Sequence, residues 1–251
     1  MYDFNYRKAT SLDDAAKAFG TASEGKYVSG GMSLIPTLKQ RLAKPSDLID
    51  LGAIPGLSGI TVDKSTVTVG AMTPHFKVNT SAEVKRAIPG LAKLTGLIGD
   101  PAVRYRGTIG GSIANNDPAA DYPAAVLGLG ATVHTNKRTI PADSFFKGLF
   151  ETALEQGEII TRVVFPIPER SGYMKFPQPA SRFALVGVFV AKTGNNVRVA
   201  VTGAGPVVFR VPEMEKALTS KYAPDSVANL KISDKGLNGD IHASPEYRAH
   251  L

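Results

Sequence analysis

The chain has 251 residues, 43% of them hydrophobic and 20% charged, with no cysteine and no tryptophan. That apolar content can build a real core, and at about 100–200 residues per domain the length fits one large domain or two modest ones. The absence of cysteine excludes disulfides, thiolate-held zinc, a cysteine nucleophile and any iron–sulfur cluster ligated by this chain itself. The 29 Lys and Arg against 22 Asp and Glu give a net charge of +7. Those cations are scattered, however, the tightest groups being KQR at 39–41 and VRYR at 103–106. A phosphate-tracking surface needs a concentrated stripe, so no nucleic-acid partner is expected. The N-terminal MYDFNYRKATSLDD lacks the apolar core of a signal peptide, and no apolar run reaches the roughly 18 residues of a membrane span. A soluble cytoplasmic protein is the expectation.

In chain order, Ser11 is placed to cap a helix with Asp13 and Asp14 in its first turn, Ala15, Ala16 and Phe19 on its apolar face and Gly20 as its stop. KYVS reads as a short strand running into Gly30 and Gly31. Leu34, Ile35, Leu38 and Leu42 then recur at helical spacing, with Pro36 acceptable in the first turn. DLIDL at 47–51 reads as a strand. GITVD and TVTVGA alternate as strands do, and helical stretches follow over 74–98. A second glycine cluster, GTIGGSIANNDPAADYP, spans 107–123 and leads into a small-residue helix with Ala124, Val126 and Leu127. ATVHT and GEIITRVVFPIP complete an alternating α/β region. From Gly172 the texture changes to long strands, RFALVGVFVAK and VRVAVTGAG, joined by the hairpin signal TGNN and followed by the helix PEMEKALTS. Pro177 and Pro179 suit a domain boundary.

Two glycine clusters carry the chemistry. In YVSGGMSL, Gly30 and Gly31 tolerate positive φ and let backbone N–H groups turn inward, while the following helix aims its free N–H groups and positive dipole end at the same spot. Ser33 is placed to cap that helix, to bind a phosphate, or both. Gly107-Thr108-Ile109-Gly110-Gly111-Ser112 again pairs glycines with hydroxyls. Either cluster alone is as readily a steric requirement of a tight turn, but two of the same chemistry can grip a pyrophosphate from both sides. Neither spells G-x-G-x-x-G, and no P-loop is present, so a dinucleotide would sit in a fold other than a Rossmann unit.

SGGMSLIPTLKQRLAKPSDLIDL, VRYRGTIGGSIANNDPAADYPAAVLGLGA, GYMKF and the C-terminal hairpin, in this order and separation, resemble the FAD-binding medium subunit of the molybdenum hydroxylases, the xanthine dehydrogenase and aerobic carbon monoxide dehydrogenase type of oxidoreductase. The resemblance covers essentially the whole chain. It implies an α+β fold: a two-subdomain FAD-binding PCMH-type α/β region over 1–176, with subdomains of about 1–52 and 53–176, and a small C-terminal α+β domain over 177–251. It implies a flavoprotein that takes electrons from a partner iron–sulfur subunit onto FAD and passes them to an external acceptor. Molybdopterin and [2Fe-2S] clusters would lie on a large and a small partner subunit, in a dimer of heterotrimers.

The site residues follow by the same resemblance. Tyr27-Val28-Ser29-Gly30 and Gly31-Met32-Ser33-Leu34 match the stretch whose backbone wraps the FAD pyrophosphate, and Thr108-Ile109-Gly110-Gly111-Ser112 match the second FAD loop. Asp121 matches an acidic position used toward the cofactor, Ile160 an apolar residue at the flavin, and Lys175 a basic residue near it. Ile98 falls where some relatives place an aromatic beside the flavin. The chain stops at EYRAHL, where the family usually continues into a short basic helix.

The remaining candidates are weaker. His75, His134, His242 and His250 show no metal-ligand spacing. Asp117 reads as a turn residue, Asp121 as a possible cap of the next helix, and Arg104 and Arg106 as rim, interface or pyrophosphate-neutralising groups. No Ser-His-Asp or paired-carboxylate arrangement stands out, so no catalytic acid, base or nucleophile is assigned. This suits an electron-transfer subunit, whose cofactor carries the chemistry. The alternatives are an assembly or binding subunit that keeps the fold without functional FAD, and a stand-alone flavin oxidase. Neither the substrate of the whole enzyme nor the electron acceptor is readable.

Overall fold

The computed structural model describes residues 1–251 and builds them around three sheets. β1 (Asn5–Lys8), α1 (Leu12–Thr21), β2 (Gly25–Val28), α2 (Leu34–Lys39) and β3 (Asp47–Asp50) form a parallel sheet ordered β1-β3-β2. Ser11 caps α1, its hydroxyl accepting from the Asp14 N–H at 3.0 Å. Gly20 lies inside the last turn of this helix rather than stopping it; the chain leaves at Ala22, which is extended. α2 is shorter than its apolar spacing predicts. Arg41 takes a φ of +61° just after it, so Leu42 falls off the helical face and is 76% exposed.

The middle unit holds β4 (Ile60–Val62), β5 (Thr66–Gly70), α3 (His75–Thr80), α4 (Ala82–Ala87), α5 (Pro89–Gly96), α6 (Pro101–Arg106), α7 (Ile109–Asn115), α8 (Tyr122–Gly128), β6 (Thr132–Thr135), β7 (Thr139–Pro141), α9 (Ala142–Phe145), β8 (Phe146–Gly148), β9 (Glu151–Thr152) and β10 (Ile160–Pro166). Five of these strands make an antiparallel sheet ordered β4-β5-β10-β6-β7. Its alternation is physical: Val67, Val69, Val133, Val163 and Phe165 are fully buried against the helices, while their neighbours face outward. Asn116, at a φ of +44°, ends α7 and ties down the β8–β9 hairpin, its side-chain amide donating to the Gly148 and Glu151 carbonyls at 2.8 Å each.

β11 (Arg170–Pro177), β12 (Ala184–Thr193), β13 (Asn196–Thr202) and β14 (Phe209–Arg210) form the third sheet, in that order and antiparallel, with α10 (Pro212–Ser220) and α11 (Pro245–His250) following. Pairing of β11 with β12 begins at Arg170 opposite Lys192. The division expected at 176/177 therefore falls at the end of a strand that already belongs to the third sheet, which makes Tyr173 and Lys175 side chains of that sheet.

The middle unit and the third sheet share one core. Leu91, Leu94, Tyr122 and Val126 from the helices pack in the same cluster as Tyr173, Phe189 and Ala200 from the strands. α8 sits this close because Gly128 has no side chain; a Cβ there would lie 2.9 Å from the Phe189 ring. No helix is long and apolar enough to cross a membrane. Phe189 is fully buried at this junction, so Phe189→Ala is expected to lower the unfolding free energy by about 3–5 kcal/mol. Urea unfolding followed by tyrosine fluorescence checks this; a loss within 1 kcal/mol or so would mean the junction repacks freely.

Candidate functional site

β2 delivers the chain into the first glycine segment. Gly31 has a φ of +73°, and Gly30 is a matter of space: a Cβ there would collide with the Arg106 carbonyl. The turn leaves six successive backbone N–H groups, Ser29 to Leu34, with no acceptor in the chain; the first to bond is Ile35, to the Gly31 carbonyl at 3.0 Å. A run of open donors around a left-handed residue is an anion-binding concavity. Ser33 does not cap α2, since its hydroxyl accepts no bond from that helix.

The second glycine segment proves to be the start of α7, and its donors are spent. Thr108 caps the helix, accepting from Gly111 N–H at 3.1 Å. Ile109 donates to the Thr73 carbonyl, Gly110 to the Ala71 carbonyl and Ser112 to the Thr108 carbonyl. Only the Thr108 N–H of this stretch has no partner in the chain. The expectation of a second backbone grip therefore gives way to a surface of hydroxyls and small residues. Ser29 Oγ and Thr108 Oγ1 lie 2.6 Å apart and join the two segments.

Between them runs a cavity of about 820 Å³, bordered by both glycine segments, by Met72 and His75, by Ile98, by Asp117 and Asp121, by Glu158 to Ile160, and by Arg182 and Phe183. The volume is within the range of small-molecule and cofactor sites. A dinucleotide fits this donor set, because the open N–H run supplies neutral donors for a diphosphate while the rest of the wall alternates apolar side chains with hydroxyls and other polar groups. Of the residues singled out from the sequence, Tyr27 to Leu34, Ile98, Thr108, Gly110 to Ser112, Asp121 and Ile160 border this cavity. Ile109 does not: it is fully buried in the core beneath α7. Lys175 borders an adjoining cleft instead.

Lys175 is committed elsewhere. Its Nζ donates to Asp121 at 2.9 Å and to the Leu97 carbonyl at 3.0 Å, with its side chain only 2% exposed. Tyr173 donates to the other Asp121 oxygen at 2.6 Å. Asp121 thus does not cap α8; its carboxylate is spent on the third sheet. Burial pushes the Asp121 carboxyl above its ordinary range, and Lys175 and Tyr173 pull it back. Glu158, also on the cavity wall, is held down at about 2. Burial alone would raise it, but hydrogen bonds from Arg138, the Glu155 N–H and Thr135 outweigh that. Its charge is offset by Arg138 and does not oppose an anion in the cavity.

Met72, His75, Glu158, Arg182 and Phe183 were not singled out for this cavity by sequence, and no spacing marks them. Tyr173 was findable: it stands two residues from Lys175 in GYMKF, hence on the same face of a strand. His75 is 4% exposed, lies 5.3 Å from the Tyr122 ring and has no partner for Nδ1. Burial, and then the charge of Arg104, push its imidazole down to about 4.

Comparison with known proteins matches residues 2–168 to the family described as the FAD binding domain in molybdopterin dehydrogenase. The chain is 36% identical over 260 residues to the nicotine 6-hydroxylase medium subunit of Paenarthrobacter nicotinovorans, covering 98% of this chain and 92% of that protein. It is 38% identical over 268 residues to the carbon monoxide dehydrogenase medium chain of Hydrogenophaga pseudoflava, covering 99% and 92%. A solved carbon monoxide dehydrogenase structure from the same organism superposes with a TM-score of 0.87 at 33% identity, over 98% of this chain and 92% of that one.

Two outcomes follow from the buried groups. The unfolded chain protonates His75 near its ordinary value and the folded chain only near 4, so its contribution to stability is full above about pH 6.5 and declines as pH falls toward 4. Unfolding free energies between pH 7 and 4 are expected to fall by about 3 kcal/mol more than in His75→Phe, and parallel curves would refute this. Asp121→Leu strands the buried Lys175 charge and is expected to cost about 3–5 kcal/mol, with Asp121→Leu/Lys175→Met recovering most of it. A double variant no better than the single would show that the pair is not coupled.

Proposed function

The chain belongs to the FAD-binding medium subunits of the molybdenum hydroxylases, and from that membership we propose how its own groups hold the cofactor and whom it serves. The observation that carries the assignment is the run of six open N–H groups from Ser29 to Leu34 at one side of the cavity. These donors bind the FAD pyrophosphate, with the Thr108 and Ser112 hydroxyls completing the cradle. Ile98 and Ile160 offer apolar contact to the flavin, and Asp121 with Lys175 and Tyr173 fixes the wall beside it. When bound, FAD supplies storage for two electrons that can be filled singly and emptied as a pair. This chain's residues bind, orient and shield; none is asked to act as an acid, base or nucleophile.

The relatives are named medium subunits or chains of larger enzymes. In this reading the chain serves a molybdopterin-bearing large subunit and an iron–sulfur small subunit, in a cytoplasmic dimer of heterotrimers. Lacking cysteine, it receives electrons across an interface rather than from a cluster of its own. The first two sheets enclose the cofactor, and the third sheet backs its wall.

Co-expression with its partner subunits, followed by denaturation and flavin quantification, is expected to release about one FAD per chain. Gly30→Ala, whose Cβ would meet the Arg106 carbonyl, is expected to lose most of it, by about tenfold or more for a displacement worth 1.4 kcal/mol or above, with circular dichroism unchanged. A wild-type complex devoid of flavin would favour an assembly subunit that keeps the fold alone. Full flavin in Gly30→Ala would remove the first segment from the site.

A further inference from the structure

The basic stretch KQRLAK at 39–44 lends no charge to the cavity: Thr37 and Ala43 border it, and Lys39, Arg41 and Lys44 do not. α2 ends there in a doubly bonded turn, in which the Leu42 N–H donates to the Thr37 carbonyl at 3.1 Å and the Arg41 N–H to the Leu38 carbonyl at 3.0 Å. Such a turn needs a left-handed residue at its centre, a position that suits glycine. Here Arg41 holds it, at a φ of +61°. The next residue ordinarily folds back on the last turn of its helix through an apolar contact. Leu42 stands 76% exposed instead. A lone exposed leucine is ordinary; one displayed by an arginine held in a left-handed conformation is not. The cations around it are uncompensated. Lys39, Arg41 and Lys44 are exposed and make no ion pair or side-chain hydrogen bond. Asp3 pairs with none of them, and Asp47, the nearest carboxylate along the chain, is taken by Arg7 at 3.4 Å and by the Ser46 hydroxyl at 2.7 Å. Arg41 Cζ and Lys44 Nζ lie 5.7 and 5.4 Å from the centroid of the Tyr2 ring, which gathers both charges on one side of the turn.

We propose that Leu42, with Lys39, Arg41 and Lys44 around it, docks a partner subunit whose matching face is an apolar pocket edged by carboxylates. Resting on the assembly reading above, the proposal deepens it by placing one contact of that assembly and naming the chemistry it requires. Charge decides the kind of partner. Three cations ring one apolar side chain on a chain of net charge +7, so a face bearing carboxylates complements the patch and a neutral or basic one does not. A second copy of the chain, meeting it patch to patch, would set like charge against like. A nucleic-acid backbone would answer the cations but give Leu42 nothing to enter. A single leucine also buries too little to hold a chain on a bilayer. A side chain carried on a hydrogen-bonded turn loses little freedom on docking, and an apolar anchor within a charged rim is the anatomy of a protein interface. Because Thr37 and Ala43 border the cavity, a partner seated on Leu42 lies beside the first glycine segment and against the helix that follows it.

The test is the dissociation constant of the chain from the complex formed on co-expression with its large and small partner subunits, read by sedimentation over a dilution series. Leu42→Ser and Lys44→Glu are each expected to raise it by about tenfold or more, and wild-type affinity is expected to fall as salt rises. Ile241→Ser, at another apolar residue that is 96% exposed, is expected to leave it unchanged. Arg41→Gly separates docking from folding. Glycine suits the left-handed position, so the thermal midpoint of the full chain is expected to hold or rise while the complex weakens by about tenfold. A complex of unchanged affinity in both Leu42→Ser and Lys44→Glu overturns the proposal. Loss in Lys44→Glu alone leaves only general charge attraction and overturns the apolar anchor. Self-association of the isolated chain, or its binding to vesicles of anionic phospholipid, abolished by these same variants, gives the patch a different occupant and also overturns it. A wild-type chain that joins no complex at all sinks the assembly reading, and the proposal with it.

Discussion

The site depends on a contact between two stretches of backbone. At Gly30 the chain leaving the first sheet passes so close to Arg106 and Gly107 that a Cβ would collide with the Arg106 carbonyl and sit 2.8 Å from the Gly107 Cα. Because the atoms in the way belong to the backbone, no rotamer change on either side can relieve the clash. The approach brings Ser29 within hydrogen-bond distance of Thr108, and with Gly31 left-handed it turns the intervening N–H groups away from their own chain. The cavity floor, the anion donors and the alignment of the first sheet on the middle unit all follow from this one absence of a side chain.

The opposite wall is set by a different kind of interaction. Asp121, Lys175 and Tyr173 are nearly sealed from water, where an unpaired charge is costly and a well-satisfied pair roughly offsets its own desolvation. Such a pair contributes little net stability and much specificity of position, since any slip leaves a buried charge alone. Lys175 reaches past Asp121 to the Leu97 carbonyl, so the same ammonium group pins the turn that presents Ile98. Gly187, opposite Lys175 on β12, is needed as well, because a Cβ there would collide with the Tyr173 hydroxyl. The third sheet is thereby part of the cavity's construction.

Much of this was legible in the residues. Alternation marked β4 and β5, extended runs marked β10, β12 and β13, Ser11 marked the start of α1, and both glycine segments were visible by composition. What composition cannot distinguish is a glycine that frees its N–H groups from one that spends them. Gly31 does the former; Gly110 and Gly111 sit in the first turn of α7, where Ala71 and Thr108 take their protons. Likewise Asp121 before a helix reads as a cap until a strand about fifty residues later claims its carboxylate. Long-range pairing of this sort leaves no local signal. Nor does the burial of His75 or the arrival of Arg182 at the cavity wall, both of which depend on where distant segments meet.

The unequal use of the two glycine segments has an energetic consequence. The donors open to an anion belong to the segment leaving the first sheet, while the groups that border the rest of the cavity come from the middle unit, braced by the third sheet. A ligand touching both is a cross-link between parts of the chain that otherwise meet mainly through the Gly30 contact and the small apolar cluster that includes Ile49, Leu57 and Ile159. Any ligand that binds only the closed arrangement stabilises it by RT ln(1 + [L]/Kd), about 4 kcal/mol at a thousandfold excess over Kd. That is comparable to the whole worth of a large buried side chain. The first sheet, with its modest core, is therefore the part of the fold whose order is most strongly tied to cofactor occupancy, and the tightness of the Gly30 approach is what lets binding at one glycine segment be felt at the other.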